Sequence, residues 1–280
     1  MIRPCILSVI VANHNRGQYL EECLDSVLNQ TCKELEIVVY DDGSSDNSPA
    51  IIRNYEQRHP RVIRGICGHD NRGVAYARHQ AILAARGEYL TTLDSDDFYF
   101  GNDKLDREMD LVRSQLRGKG RDVIAFSNTV MVNALGQFLQ RMGNEENIRQ
   151  GDVLEAFLTR TGFIPRDFIM KKTCYLNAGC YDTTLRIRED WDLKIRLARH
   201  YSFLYSGVDG TAYRRHANGL SSFSASSIGE WEKWLRIVFN KNISLVAPQR
   251  QAEIAGCFEA FLALRGRDFI AEGAASKDPS

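Results

Sequence analysis

Four short apolar runs alternate with helix-period segments through the first 97 residues, and this alternation constrains the fold more than any other feature. Cys5 to Ala12 (CILSVIVA) is β-branched and continuously apolar, the pattern of a strand buried on both faces of a parallel sheet. Tyr19 to Leu28 then carries Leu20, Cys23, Leu24, Val27 and Leu28 at helical spacing, which predicts an amphipathic helix. Leu35 to Tyr40 is the second strand, and Asp46 to Arg58 the second helix, capped by Asp46 or Ser48. Val62 to Ile66 is the third strand, Val74 to Ala85 the third helix and Tyr89 to Leu93 the fourth strand. Such an order implies an α/β fold with a mostly parallel sheet and right-handed crossovers. Open sheets of this kind bind ligands outside the carboxyl ends of their strands.

Beyond residue 97 the pattern is mixed. A helix is expected from Asp103 to Arg117, then an exposed loop, a strand region from Asp122 to Asn133 and a turn at Ala134-Leu135-Gly136. Helices are expected near 152–160, at 172–177 and from Glu189 to His200, with a strand or turn near 166–171 and a strand from Phe203 to Val208. Tyr213 to Ser222 reads as a polar loop. Ile228 to Phe269 reads as helical, with Trp231, Trp234, Leu235, Val238 and Phe239 on one face that suits a core or a dimer contact. The last ten residues are expected to fray.

Polar motifs fall at the predicted strand ends. Asp94-Ser95-Asp96-Asp97 follows the fourth strand directly. Three carboxylates in four residues repel one another unless a cation or solvent relieves them. Mg²⁺ and Mn²⁺ take oxygen ligands and often need only one or two carboxylates plus substrate phosphates. The same residues would also serve as a solvated turn or a helix cap. Tyr40-Asp41-Asp42-Gly43 ends the second strand, where a carboxylate can accept from a base N–H or a ribose hydroxyl, or close an Asx-turn. Ala12-Asn13-His14-Asn15-Arg16 ends the first strand; His14 suits stacking on a base, or capping the next helix. Asn71-Arg72-Gly73 to Arg78 opens a helix that can meet a phosphate, and lacks the Gly-Lys-Ser/Thr of a phosphate loop. Asp190 sits in the first turn of a helix, where an acid serves either as a first-turn acid or as a general base. In Tyr213-Arg214-Arg215-His216 the histidine suits a metal and the arginines a diphosphate, or the segment is a surface loop.

Charge and cysteine content exclude several classes. Lys plus Arg and Asp plus Glu number 36 each, so no overall field favours nucleic acid. Seven scattered cysteines without a Cys-x-x-Cys pair argue for reduced thiols. The N-terminal apolar run is too short for a signal peptide, and no stretch reaches membrane-spanning length. A cytoplasmic protein is expected, with contact at the inner face of a membrane left open.

Taken in order, SVIVANHNRGQYLEECLDSVLNQT, LEIVVYDDGSSDNS, NRGVAYARHQAILAARGEYLTTLDSDD, GCYDTTLRIREDWDLKIRLA and YRRHANGLS resemble the inverting family 2 glycosyltransferases of the GT-A fold, over roughly residues 5–222. The resemblance implies a Rossmann-like, mostly parallel central sheet flanked by helices as one domain over 1–222, with a C-terminal helical extension over 223–280. It implies transfer of a sugar from a nucleotide-diphospho-sugar, most plainly a UDP-sugar, to a hydroxyl of a carbohydrate or glycolipid acceptor in polysaccharide or glycoconjugate assembly, aided by Mg²⁺ or Mn²⁺. Asp42, with Asp41 beside it, would contact the base. Ala12 and His14 would line its pocket, and Arg78 would help hold the donor. Asp94 would approach the ribose or the metal, Asp96 would be the main metal ligand, His216 would assist at the metal or diphosphate, and Asp190 would be the general base. The sequence departs from the family at the first strand end, where Pro-Thr-Tyr-Asn is usual, and at Tyr40; both touch the base pocket. Two other readings stand beside this one: a catalytically silent nucleotide-sugar binder on the same fold, and a phosphoacceptor signalling domain, for which the chain is too long. Homodimer formation is left open.

Overall fold

The computed structural model describes residues 6–117, 122–216 and 228–275. Its main sheet has five strands in the order β3-β2-β1-β4-β8: β1 (Leu7–Asn13), β2 (Leu35–Asp41), β3 (Ile63–Cys67), β4 (Tyr89–Asp94) and β8 (Met170–Lys171). The first four are mutually parallel and β8 closes the edge antiparallel. Helices α1 (Gly17–Leu28), α2 (Ser48–Arg58) and α3 (Val74–Ala84) make the crossovers.

Alternate residues of these strands feed two separate cores. Ile10, Val38 and Leu90 face the core that holds α3 residues, while Val9, Val11, Ile37, Val39 and Leu93 face the one that holds α1 and α2 residues. Apolar side chains on both faces of a strand are what make its run continuous rather than alternating.

A second sheet, β5-β9-β6-β7, joins β5 (Phe98–Tyr99), β6 (Val123–Val132), β7 (Phe138–Arg141) and β9 (Ser202–Arg214). Strand β9 runs parallel to β6 and antiparallel to β5, which clamps the turn after β4 between the two sheets. The remaining helices are α4 (Lys104–Arg117), α5 (Leu154–Thr159), α6 (Lys172–Asn177), α7 (Glu189–Ala198), α8 (Ile228–Asn242) and α9 (Pro248–Ala275).

Two expectations are corrected. The strand predicted over Phe203–Val208 extends to Arg214, so Tyr213 and Arg214 belong to a sheet rather than to a polar loop. Pairing with β6 satisfies their backbone, which a short apolar run does not reveal. The single helix predicted over Ile228–Phe269 is two, broken by a 3₁₀ turn at Ile243–Leu245 with Pro248 opening α9. Trp231, Leu235, Val238 and Phe239 are buried in the core together with Phe258 and Leu262 of α9, so this apolar face is internal. The expected boundary at 222/223, the loop after Arg117 and Cys5 lie outside the described residues; of the last ten residues, expected to fray, 271–275 instead continue α9 and 276–280 lie outside the described residues. The six described cysteines are free. Among the described residues no helix is long and apolar enough to cross a membrane.

Candidate active site

The carboxyl ends of β1, β2 and β4 open onto one cavity of about 310 Å³, which the start of α7 also lines. Its wall includes Ala12, His14, Asp42, Arg78, Asp94, Asp96 and Asp190. Seven of the nine predicted site residues therefore meet in one place, although as many as 178 positions separate them along the chain.

The β1 and β2 ends are tied together by Asn15, whose backbone has a positive φ of 51°. Its amide N–H donates to Ser44 Oγ (2.8 Å), and its side-chain oxygen accepts from Ser45 N (2.8 Å). Gly43 has φ 71°, and a Cβ there would stand 2.9 Å from the Asp70 carbonyl carbon, so the turn needs glycine for both conformation and space. His14 Nδ1 lies 2.9 Å from the Asp42 carbonyl oxygen. A carbonyl only accepts, so Nδ1 carries the proton and Nε2 accepts from Asn15 Nδ2 (3.2 Å).

Asp42 is 2% exposed. Its Oδ2 accepts from the Arg72 and Gly73 amides (3.0 and 2.7 Å), while its Oδ1 is buried without a protein partner. A buried lone acceptor on a cavity wall is a place for a ligand N–H or O–H. Arg72 stacks over the Tyr76 ring at 3.7 Å, forming a flat rim beside it.

Asp41 is placed differently from expectation: it is not part of the cavity wall. Its Oδ1 accepts from Asn13 Nδ2 (2.7 Å) and Ser44 Oγ (2.6 Å), and its Oδ2 from Ser44 N (3.1 Å). The parity of the strand decides this, because adjacent side chains leave on opposite faces. Asp41→Ala is expected to lower stability by about 1–3 kcal/mol through the stranded Asn13 and Ser44 donors. Urea denaturation measures it, and an unchanged midpoint refutes the structural role.

The acidic segment is relieved by arginines. Asp94 pairs with Arg78 through Oδ1 and with Arg166 through Oδ2 (2.6 Å). Burial works to raise its pKa, but the two guanidiniums outweigh it and hold Asp94 below the usual carboxylate range. Asp96 Oδ2 accepts from Arg16 Nε (3.0 Å) and His216 Nε2 (3.1 Å); its Oδ1 has no partner among the described residues. Asp97 faces inward. It accepts from Arg214 N (2.8 Å) and pairs with Arg166 (2.8 Å), and burial pushes it up to about 8, with Asp96 and Asp94 adding to the shift. Ligand oxygens of Asp94, Asp96 and Asp97 lie within 4.8 Å of one another. All-oxygen donors at that spacing suit Mg²⁺ or Mn²⁺. His216 is not a member of this set: its ring donates to Asp96 and packs against Tyr19 at 4.9 Å.

Two basic residues differ from their expected roles. Arg78 lines the cavity, yet its guanidinium is committed to Asp94 and to Glu189 (2.6 Å), so it braces the acidic turn against α7 instead of facing a phosphate alone. Arg214 is 3% exposed. It donates to the carbonyls of Asp96 (2.9 Å) and Ala134 (3.0 Å) and pairs with Glu22, which makes it a structural clamp.

At the start of α7, Asp190 Oδ2 pairs with Lys194 Nζ at 2.6 Å, one helical turn on, and Lys194 is buried. Partial burial works to raise Asp190, but Lys194 outweighs it, with Arg78 and Arg188 assisting, and holds the carboxyl well below its usual range. Burial pushes the neighbouring Glu189 up to about 7, against Arg78. Sequence reasoning assigned no role to Arg16, Arg166, Glu189 or Lys194. Arg166 carries no spacing signal at all; Lys194 was legible as an i,i+4 partner of Asp190.

A parallel sheet, a nucleotide-sized cavity at its carboxyl edge and a carboxylate turn at the end of β4 define a GT-A glycosyltransferase fold. Solved structures bear this out. S. aureus TarS 1–349 in complex with UDP-GlcNAc aligns with a TM-score of 0.65 at 19% identity, covering 92% of this chain and 71% of that one. The mannosyltransferase PcManGT of Pyrobaculum calidifontis, in complex with GDP-Man and Mn²⁺, aligns with a TM-score of 0.59 at 19% identity, covering 96% and 79%. Residues 8–113 match the family model of glycosyl transferase family 2. Glycosyltransferase GlyG of Streptococcus pneumoniae is 36% identical over 119 residues, 42% of this chain and 38% of that protein. Chondroitin synthase of Escherichia coli is 37% identical over 96 residues, 34% of this chain and 14% of the synthase. These alignments span well under two thirds of either relative's length.

Proposed function

We propose that the chain is a metal-dependent inverting glycosyltransferase. It moves a sugar from a nucleotide-diphospho-sugar, with UDP as the nucleotide, to a hydroxyl of a carbohydrate or glycolipid acceptor. The observation that carries the proposal is the cavity itself. The strand order β2-β1-β4 sets the unpartnered Asp42 oxygen to one side of the β1 end and Asp94 and Asp96 to the other, and the Arg78 brace from Asp94 to Glu189 brings Asp190 next to them. A base, a diphosphate and an acceptor hydroxyl need that order.

Asp42 Oδ1 accepts the base N–H, with Ala12 and His14 beside it. Asp96, joined by Asp94, holds the divalent cation; Asp97 stays with Arg214 and Arg166. When bound, the metal stabilises negative charge on the departing diphosphate. Asp190 takes the proton of the acceptor hydroxyl as that oxygen attacks the anomeric carbon from the face opposite the leaving group, so configuration inverts in one displacement and no enzyme nucleophile is needed. TarS and PcManGT, solved with UDP-GlcNAc and with GDP-Man and Mn²⁺, support a nucleotide-sugar donor, and the chondroitin synthase relative supports polysaccharide assembly. Helices α8 and α9 pack onto α7 and α5 and back the acceptor side.

A thermal-shift screen of nucleoside diphosphates with Mn²⁺ tests the donor end. UDP raises the Tm, and Asp42→Ala removes the preference for UDP over the other diphosphates. Equal shifts for all four diphosphates in the native protein overturn the base assignment.

A further inference from the structure

Asp94 is the one carboxylate of the acidic turn with a guanidinium on each oxygen. Arg78 holds Oδ1, and Arg166 Nη2 holds Oδ2 at 2.6 Å. A divalent cation that takes Asp94 as a ligand must therefore take it from an arginine. The Arg78 side chain is 9% exposed, and its other arm is paired with Glu189. The Arg166 side chain is 25% exposed and lines the cavity. Arg166 belongs to no helix or strand; it lies between α5 and β8. Its backbone is anchored by the next residue instead. Asp167 pairs with fully buried Lys104 at 2.8 Å and accepts from Thr211 Oγ1 at 2.6 Å, and Lys104 also pairs with Glu108 of its own helix α4 at 2.9 Å. The guanidinium of Arg166 stacks over the Tyr213 ring at 3.9 Å.

The two acidic partners of Arg166 are not equivalent. Asp97 Oδ2 accepts from both Nε (3.0 Å) and Nη2 (2.8 Å), and the Asp97 side chain is 1% exposed. Giving up Asp97 would strand a buried carboxylate, which is strongly destabilising. Giving up Asp94 would not, because Arg78 stays on its other oxygen and the side chain is 29% exposed. Arg166 is thus anchored at its base, stacked on a ring and held at its inner edge, while its outer partner is exchangeable. Such a side chain has little freedom left to lose when it meets a ligand. Its N–H groups stand on the cavity wall, and a guanidinium fork suits the oxygens of a diphosphate.

We propose that Arg166 ties metal binding to donor binding. Without the donor, Arg166 occupies Asp94 and keeps a divalent cation weakly held. When cation and nucleoside diphosphate enter together, Arg166 yields Asp94 to the cation, keeps Asp97, and turns its freed N–H groups to the diphosphate. The proposal rests on the transferase reading above and adds an order to it: the cation loads with the nucleotide, not ahead of it. Lys104 and Asp167 are positioning residues in this scheme, since they fix the segment from which Arg166 reaches both carboxylates.

The test titrates the full chain with Mn²⁺ alone, counting free Mn²⁺ by its EPR signal, and then with UDP by calorimetry, without and with Mn²⁺. Arg166→Gln binds Mn²⁺ alone about tenfold more tightly than the native protein, and the gain in UDP affinity that Mn²⁺ confers shrinks, because coupling between two ligands is reciprocal. The second variant is the double substitution Arg166→Gln with Asp97→Asn. It removes the guanidinium together with the buried carboxylate it serves, so no charge is stranded, and it decides alone if the single variant does not fold. Its net charge equals that of the native protein, yet Asp94 is open, so it too binds Mn²⁺ alone about tenfold more tightly. Native Mn²⁺ affinity in the double variant overturns the proposal, since any gain in the single variant would then be a matter of net charge. An undiminished gain in UDP affinity from Mn²⁺ in both variants overturns it as well. If the native protein binds UDP no better with Mn²⁺ than without, the metal-dependent reading itself fails, and this proposal falls with it.

Discussion

Asp190→Asn lowers turnover by about 10³-fold, within the range of general-base contributions, and leaves UDP affinity close to that of the native protein. Asparagine keeps the shape and cannot take a proton. The pairing of Asp190 with buried Lys194 at 2.6 Å adds a second expectation. Lys194 favours the carboxylate, so Asp190 stays ionised to a pH below its ordinary range. The native rate therefore shows no acid limb from this group above about pH 4. Lys194→Met removes the cation that lowers the pKa. The pKa of Asp190 then rises and an acid limb moves upward into the measurable range. A kcat/KM profile against pH for both proteins reads this directly. Turnover that survives Asp190→Asn, or a limb that does not move in Lys194→Met, overturns the assignment of the base. Equal loss of UDP binding and turnover in Asp190→Asn would instead mean that the substitution disturbs the Arg78–Glu189 brace.

The parallel sheet and the placing of its polar motifs were legible in the sequence because both rest on local patterns. A strand buried on both faces must be apolar throughout, and the residue that ends it must be polar if a ligand waits there. Asp42, Asp94 and Asp96 were placed at strand ends by that logic, whereas Asp190, in the first turn of a helix, drew its role from the resemblance alone. The balance of charge was not. Arg166 comes from a segment with no periodicity and reaches Asp94 across 72 positions; Arg16 reaches Asp96 across 80. Only the folded chain brings them together, and they replace the solvent or metal that the bare sequence seemed to require. Asp41 shows the reverse error. Two adjacent acids look equivalent in a sequence, yet strand parity turns one toward the cavity and the other toward Asn13. Strand β9 was cut short for a related reason: its polar end at Tyr213-Arg214 is held by neighbours on β6 and by Asp97, and neither neighbour can be seen in the residues themselves.

Those same arginines sharpen the expectation for the metal. Asp96→Ala removes the Mn²⁺-dependent gain in UDP affinity and lowers turnover by about 10²–10³-fold, the loss typical when one stabiliser of developing charge is deleted. The structure contains a built-in competitor for this role. Arg16 and His216 already lie 3.0 and 3.1 Å from Asp96 Oδ2, and a guanidinium can itself stabilise a diphosphate. The two cases separate cleanly. If a divalent cation holds the donor, chelation with EDTA abolishes turnover and Mn²⁺ restores it. Arg16→Ala then costs little, because Asp96 merely exchanges one cation for another. If the arginine takes the place of the metal, EDTA leaves the rate unchanged and Arg16→Ala abolishes it. Three oxygen donors within 4.8 Å, with one Asp96 oxygen open, favour the first outcome. The arginines already relieve the repulsion among the carboxylates, so what argues for the ion is the open Asp96 oxygen beside Asp94: a guanidinium bound to the other oxygen leaves it unused, whereas a divalent cation that takes only one or two carboxylates plus phosphate oxygens would take it.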